Sequence, residues 1–323
     1  MSENFLFQIE NLSKIFGYGF LSRTKFPAVD NVSLNIENKP RIFTVAGESG
    51  CGKTTLARIM LRIIEPSSGT ILYKGKNLQK FSSNDKLLFL KEVQGIFQDP
   101  FDTFNPLKKV ETYLYETARN LLGLKNYEEA SKHIDDILRF MGLSLKDVRS
   151  KYPHEFSGGE LQRVSIARAL ISKPSLIIAD EPVSMIDAST RMNILNIFKD
   201  LKNDDGISFI YITHDLATAY YISDDMAIMY RGTIVEIGPA EKVLTERYHP
   251  YTKALMDALP EYGKRSEWLN KKIKPSGIEI KEFVIPYCKY AHLCQFKMDI
   301  CVQKRPPMFN VNGIKVSCWL YKK

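Results

Sequence analysis

Cysteine is nearly missing from most of this chain. Residues 1–287 hold one, Cys51, and the other four of the five fall between Cys288 and Cys318. A disulfide framework for the bulk of the molecule is thereby excluded. Long apolar runs are missing too. None approaches the roughly eighteen residues that a membrane-spanning helix needs, so any membrane role must come through a partner. The opening stretch MSENFLFQIENL starts acidic and lacks a basic n-region, which excludes a signal peptide and places the protein in the cytosol. An excess of one charge sign is absent from residues 1–250, which carry 31 Lys/Arg and 31 Asp/Glu. The net charge of +8 therefore resides wholly in residues 251–323.

What is present is ordinary for a globular protein with a real core: 44% apolar and 25% charged residues. The length of 323 residues exceeds one typical domain and is short for three. The charge step and the segment HPYTKALMDALP (249–260) divide the chain into a neutral body, 1–250, and a basic extension, 251–323. A basic tail fits anionic lipid headgroups, nucleic acid, an acidic partner, or simply a solvated lysine-rich surface.

Along the body, FQIENLSKIF (7–16) and AVDNVSLNIE (28–37) alternate as half-buried strands do. RIFTVAG (41–47), SLIIAD (175–180) and ISFIYITHD (207–215) read as buried strands. Helical spacing covers 53–64, 158–171, about 188–202 and most of 85–145, the last interrupted by DPFDTFNP. PSSGTILYKGK (66–76) reads as a turn and a strand, and MAIMYRGTIVEIG (226–238) as a hairpin turning at Arg231–Gly232. Strands alternating with helices predict an α/β fold with a mostly parallel sheet.

Two motifs carry chemistry. GESGCGKTT (47–55) has the G-x-x-x-x-G-K-[ST] spacing between an apolar strand and a helix. Its glycines, Gly47, Gly50 and Gly52, let the backbone curl so that the amides of Glu48, Ser49, Cys51 and their neighbours face phosphate oxygens. The helix that begins near Lys53 points its positive end at the same place. Lys53 suits the β- and γ-phosphates, and Thr54, followed by Thr55, offers a hydroxyl to Mg²⁺. Cys51 sits at a variable position of the loop, where a small side chain is enough. The second motif is SLIIADEP (175–182), in which Asp180 ends a buried strand and suits Mg²⁺, while Glu181 suits a base toward an attacking water. In isolation, two carboxylates at a strand end are more often merely solvated.

FSGGELQR (156–163) lies between these motifs. With it the sequence resembles the ATP-binding cassette (ABC) family, the ATPase subunits of ABC transporters. The resemblance implies a P-loop NTPase fold with an antiparallel β portion, a helical subdomain over about 99–165 and a small C-terminal extension. It implies that Phe156, Ser157, Gly158, Gly159 and Glu160 form the signature that meets ATP on another protomer. By position, Gln98 in GIFQDP matches the glutamine that senses Mg²⁺ and the γ-phosphate and couples to the membrane partner. His214 in ITHD matches the switch histidine, and Asp187 in SMID the D-loop aspartate. Phe16 in LSKIF matches the aromatic that stacks on adenine, although a Phe there equally suits the core. Glu160 stands where the family usually has glutamine, Met185–Ile186 where it has a small residue and leucine, and NKP (38–40) where Gly-Glu usually precedes the P-loop strand.

FQDPFDTFNP (97–106), HPYTKAL (249–255) and the cysteine-bearing tail are similar to the dipeptide/oligopeptide importer branch, some members of which carry oligosaccharides or nickel. The implied partners are a second ABC ATPase subunit, identical or distinct, two membrane permeases and, indirectly, an extracytoplasmic solute-binding protein. The implied place is the cytoplasmic face of the membrane. A soluble cassette ATPase acting on nucleic acid is the less favoured reading. The repair-type relatives have a long coiled coil between P-loop and signature, and the translation-factor relatives have two cassettes; this chain has neither. An inactive regulatory cassette is disfavoured by the intact Glu181 and His214.

The tail cysteines, Cys288, Cys294, Cys301 and Cys318, are spaced C-x5-C-x6-C-x16-C. A short, Lys- and Pro-rich segment has little to build a core and needs a staple. Four thiolates suit one metal centre. Structural zinc prefers pairs two to four residues apart, and the longer gaps suit a [4Fe–4S] cluster, a reading the branch resemblance shares. Zinc, or four unliganded thiols, remain the alternatives, and Lys289, Lys297 and Arg305 are at hand to offset thiolate charge.

Overall fold

IFTVA, LIIAD and SFIYIT are three short apolar runs, and each folds as a strand whose residues are all buried, as strands covered on both faces should be. The structure is a computed structural model and describes residues 4–18, 24–258 and 280–322. In chain order its strands are β1 (Phe5–Tyr18), β2 (Thr24–Glu37), β3 (Ile42–Ala46), β4 (Ser68–Tyr73), β5 (Lys76–Asn77), β6 (Val93–Ile96), β7 (Leu176–Asp180), β8 (Ser208–Thr213), β9 (Asp225–Tyr230), β10 (Thr233–Pro239), β11 (Phe309–Val311) and β12 (Ile314–Val316). Its helices are α1 (Lys53–Met60), α2 (Ser83–Glu92), α3 (Val110–Leu122), α4 (Tyr127–Phe140), α5 (Leu145–Val148), α6 (Gly158–Leu170), α7 (Ala188–Asn203), α8 (Leu216–Ile222), α9 (Ala240–Glu246) and α10 (Pro250–Asp257), followed by a short turn of helix at Ile280–Phe283.

The chain divides into two units. The first comprises Met1–Glu37, Phe43–Gly75 and Thr213–Lys323. In it β1 pairs antiparallel with β2 and β4, which is the antiparallel portion. β3 runs parallel to β9, and β9, β10, β12 and β11 continue antiparallel in that order. The tail thus adds a hairpin to the free side of β10, with Glu236 opposite Val316. The second unit comprises Asn38–Ile42 and Lys76–Ile212. In it β6, β7 and β8 are parallel, Val93 facing Leu176 and Leu176 facing Ser208. The α/β expectation is met. Among the described residues no helix is long and apolar enough to cross a membrane.

The helical part of the second unit follows from pattern and caps. In α4, Ala130, Ile134 and Leu138 recur every four residues and are buried, one apolar stripe on a polar helix. Asn126 caps it by accepting the amides of Glu128 and Glu129.

Two helical expectations need correction. The helix after the P-loop ends at Met60, because Arg62 takes φ 57° and the Ile63 amide turns back to Arg58 O; Ile63 is 54% exposed and belongs to no core. Residues 85–145 are not helical apart from DPFDTFNP, since β6 intervenes and pairs with β7. The hairpin β11–β12 was not anticipated, although Asn312–Gly313 at its turn, both with positive φ, is the strongest short hairpin signal there is.

The tail is held by charge as well as by strands. Asp30 on β2 accepts both guanidinium nitrogens of Arg305, at 2.7 and 3.1 Å, and the Lys289 ammonium at 2.6 Å. Lys289 also donates to Arg231 O at 2.7 Å, and Arg231 pairs with Glu282. Two of the cations expected to face the cysteines are therefore engaged with Asp30 instead. The Lys289 side chain is 3% exposed, and burial pulls its pKa down to about 8 against the pull of Asp30. Burial alone would raise Asp30, but the hydrogen bonds from Arg305 and Lys289 outweigh it and hold the carboxyl below its ordinary value. Removing one member of such a pair leaves a buried charge without its partner, at a cost of about 3 kcal/mol. Asp30→Asn should therefore lower the unfolding free energy by about that amount in urea titrations. In the wild type the contribution of Asp30 is complete above the usual carboxylate pKa. It is lost as the pH falls through the depressed folded value, so the gap between the two proteins should close in acid.

Candidate nucleotide site

In the first unit the phosphate loop leaves β3 and runs into α1. Gly52 is the residue before the helix, with φ 111°. A Cβ there would meet Ala28 O at 2.1 Å, so both backbone shape and space require glycine. The first turn of α1 has no acidic side chain and no side-chain cap, which leaves its amides open to an anion. Ser49 and Gly50 are exposed, Thr54 and Thr55 half-buried and Lys53 buried. The Lys53 ammonium is gathered in by Gly47 O at 2.7 Å and Glu48 O at 2.9 Å. Cys51 is buried with its thiol 3.9 Å from that ammonium; burial pushes the thiol up, as suits a packing residue. His214 follows β8 and is exposed. Phe16 is half-buried on β1, its ring 6.1 Å from Phe26 and under the Lys14 ammonium.

In the second unit Asp180 ends β7 and is 4% exposed. Glu181 turns the chain with φ 50°, its amide held by Ile212 O at 2.9 Å. A carboxylate residue in that strained conformation marks a constrained position. Gln98, two residues past β6, is exposed. Ser157 is the N-cap of α6. Its hydroxyl accepts the Glu160 amide at 3.3 Å, while the Glu160 carboxylate takes the Ser157 amide at 2.9 Å and its hydroxyl at 2.7 Å. This is a capping box, which a glutamate satisfies as a glutamine would. Those two hydrogen bonds hold the carboxyl below its ordinary value. Asp187 caps α7 by accepting the Thr190 amide at 3.0 Å and the Ser189 hydroxyl at 2.6 Å. The Ser189 hydroxyl and then the Thr190 amide hold its carboxyl far below the ordinary value. The two D-loop departures differ: Ile186 is buried and Met185 is 54% exposed.

The four tail cysteines lie in the first unit. All are unpaired thiols. The Cys288 amide donates to Cys301 O at 3.1 Å. Burial pushes Cys318 up to about 11, with smaller contributions from its neighbours Cys288, Cys294 and Cys301. Cys288 and Cys294 are raised by burial as well. Among the described residues, no group of three or more His, Cys, Asp or Glu is placed to hold a metal ion. Zinc needs all its ligands at about 2.0–2.3 Å from one centre, and nothing in this arrangement supports it. The same observation is no obstacle to Mg²⁺ with nucleotide, which leans on phosphate oxygens and water and on few carboxylates.

A phosphate loop at the end of one parallel strand and an acid pair at the end of another are features of P-loop nucleotide hydrolases, and the fold narrows the class. It matches the dimeric post-hydrolysis state of the ATP-binding cassette MJ0796 bound to ADP and Pi, with a TM-score of 0.65 at 24% identity, covering 72% of this chain and 98% of that one. Residues 29–184 match the ABC transporter family model, and residues 235–301 match that of the oligopeptide/dipeptide transporter C-terminal region. The chain is 36% identical over 309 residues to the oligopeptide transport ATP-binding protein OppF of Haemophilus influenzae, covering 95% of this chain and 91% of that one. It is 35% identical over 294 residues to the dipeptide transport ATP-binding protein DppF of Escherichia coli, covering 90% and 86%. The chain belongs to the ABC transporter family, among the ATP-binding proteins of oligopeptide and dipeptide transporters, and is an ABC-type ATPase.

The cap geometry makes separate demands on two neighbours. Ser157→Ala deletes the N-cap and should cost about 1 kcal/mol of stability. Glu160→Gln keeps a capping partner and should cost much less. Thermal melts of the two variants beside the wild type would read the difference; equal melting would show that the box holds nothing.

Proposed function

We propose that this chain is the ATP-hydrolysing subunit of an importer. MgATP binding and hydrolysis in a head-to-tail ATPase dimer would drive uptake of di- or oligopeptides through two separate membrane permeases, fed by an extracytoplasmic binding protein. The observation that carries the reading is the presence, in one chain, of the cassette match and the oligopeptide/dipeptide C-terminal match. The body is then the nucleotide-binding domain, 1–250 with its helical part at about 99–165, and 251–323 is the extension. The protein would sit at the cytoplasmic face of the membrane, held by its permeases.

In this reading the amides from Glu48 to Thr55 cradle the β- and γ-phosphates and Lys53 neutralises them. Phe16 stacks on adenine. Thr54, Gln98 and Asp180 hold Mg²⁺, whose charge offsets the phosphate oxygens. Glu181 takes a proton from the water that attacks the γ-phosphorus in line, the β–γ bridging bond breaks, and ADP and phosphate result. His214 contacts the γ-phosphate. Ser157, Gly158, Gly159 and Glu160 meet the nucleotide of the other protomer, with Asp187 at the seam. Glu181→Gln should cut turnover by about 10²- to 10⁴-fold and leave MgATP binding intact. Steady-state phosphate release and equilibrium binding on the same preparation test this, and undiminished turnover would remove Glu181 from the role of base.

We also propose that Cys288, Cys294, Cys301 and Cys318 carry a [4Fe–4S] cluster with a structural role. Each thiolate of such a cluster binds a different iron, so the four sulfurs need not converge on one point. The four free thiols, with Cys288, Cys294 and Cys301 near enough to Cys318 to act on its charged form, support this. Protein purified without oxygen should contain about four iron and four sulfide per chain. Four titratable thiols in folded, iron-free protein would reject the cluster.

A further inference from the structure

Tyr251 lies on α10, outside every motif of the nucleotide site, and yet it touches the phosphate loop. Its hydroxyl accepts the Glu48 amide at 3.1 Å. That amide belongs to the peptide unit whose carbonyl, Gly47 O, accepts the Lys53 ammonium at 2.7 Å. One peptide plane therefore has Lys53 on one edge and Tyr251 on the other. Rotating it would break both bonds, so the phenol sets the angle at which Gly47 O meets Lys53.

The phenol is itself held on all sides. Tyr251 is 2% exposed. Its ring packs on Tyr230 at 4.4 Å and Tyr290 at 5.6 Å. The start of α10 is seated by two buried side chains. The Glu236 carboxylate accepts the amides of Tyr248 and His249 at 3.0 and 3.1 Å, and His249 Nδ1 accepts the Tyr251 amide at 3.0 Å. Burial drives His249 down to about 3, so the ring stays neutral and Nδ1 remains an acceptor at any working pH. Burial also keeps the Tyr251 phenol protonated far above its ordinary range, so no negative charge forms beside incoming phosphates.

We infer that Tyr251 is a positioning residue for nucleotide: it presets the Gly47–Glu48 peptide, and through it Lys53, in the form that receives the phosphates. The inference rests on the assignment of Gly47–Thr55 as the phosphate loop. A loop ordered in advance pays less on binding, so losing the hydrogen bond should appear in affinity and not in the chemical step.

The test is Tyr251→Phe in the full-length chain, which keeps the ring and deletes the acceptor. The Kd for MgATP should rise about fivefold, as expected for one lost hydrogen bond. KM for ATP should rise with it while kcat at saturation stays unchanged, the signature of an interaction shared by ground and transition states. Amide exchange in peptides spanning Gly47–Lys53 should quicken in the free protein. Tyr290→Phe, whose ring packs on the same cluster, should bind as the wild type does. A merely structural role would lower the melting temperature of Tyr251→Phe and leave Kd, KM and loop exchange as they were, and that result overturns the inference. Lys53→Ala separates the two readings. If wild-type protein binds no MgATP, or Lys53→Ala binds as well as wild type, the phosphate-loop assignment fails. If only Tyr251→Phe matches wild type, the positioning role alone fails.

Discussion

The Gly232 amide donates to Cys51 O at 2.8 Å, and Gly232 O accepts the Asp30 amide at 2.8 Å. This single residue ties the side of the phosphate loop that faces away from its open amides to β2. It can do so because it lies in a tight β9–β10 turn, with Arg231 at φ 44° and Gly232 at φ 81°. A Cβ on Gly232 would come within 2.9 Å of Pro27 O and 3.0 Å of Ala28 O, so the approach is open to glycine alone. Of the loop's own side chains, Lys53 holds the carbonyls of Gly47 and Glu48. Two further groups outside the loop hold its backbone: the Gly232 amide at Cys51 O and the Tyr251 hydroxyl at the Glu48 amide.

The same turn receives the tail. Arg231 O takes the Lys289 ammonium, and the Asp30 side chain, on the residue that reaches Gly232 O, takes Lys289 and Arg305. A short basic segment with few apolar residues need not build a core of its own when it completes another. Tyr290, Ile314, Val316 and Cys318 are buried in one cluster with Ala46, Met226, Ile228, Tyr230 and Tyr251. The ion pairs add direction to an otherwise non-directional contact, since a buried ammonium displaced from Asp30 would lose its counter-charge in a poorly solvated place. The positive charge that sets the tail apart in the sequence is thus partly consumed inside the molecule.

Much of this was legible in the sequence because each motif states its own mechanics. GESGCGKTT demands a strand before it and a helix after it, and both are there. The helical spacing over 158–171 is there as α6, with Ser157 as its N-cap. Elements whose identity depends on a neighbour far along the chain were not legible. VQGI continues the helical look of the residues before it and becomes β6 only because LIIAD lies beside it. RIMLRII keeps helical spacing past Met60, but spacing does not say that Arg62 will turn left-handed. Asn312–Gly313 is legible as a hairpin turn, since both residues suit positive φ. Tyr251 was legible only as part of HPYTKAL, because its contact with the Glu48 amide is a hydrogen bond across 203 residues of sequence.

The glutamate at the signature gains meaning from its cap. The carboxylate of Glu160 and a glutamine side chain could both accept the Ser157 amide, so capping does not choose between them. They differ in charge. Glu160 stays ionised, because the Ser157 hydroxyl and amide favour its charged form, and its charge lies at the positive end of α6, where the helix dipole favours it. In a head-to-tail dimer the same helix end would face the phosphate of the opposite nucleotide. There an ionised Glu160 competes with that phosphate for the amides and for the Ser157 hydroxyl, which it already holds at 2.7 Å. A glutamine would compete without repelling. The charge of Glu160 therefore stabilises the N-terminal end of α6 in the single chain.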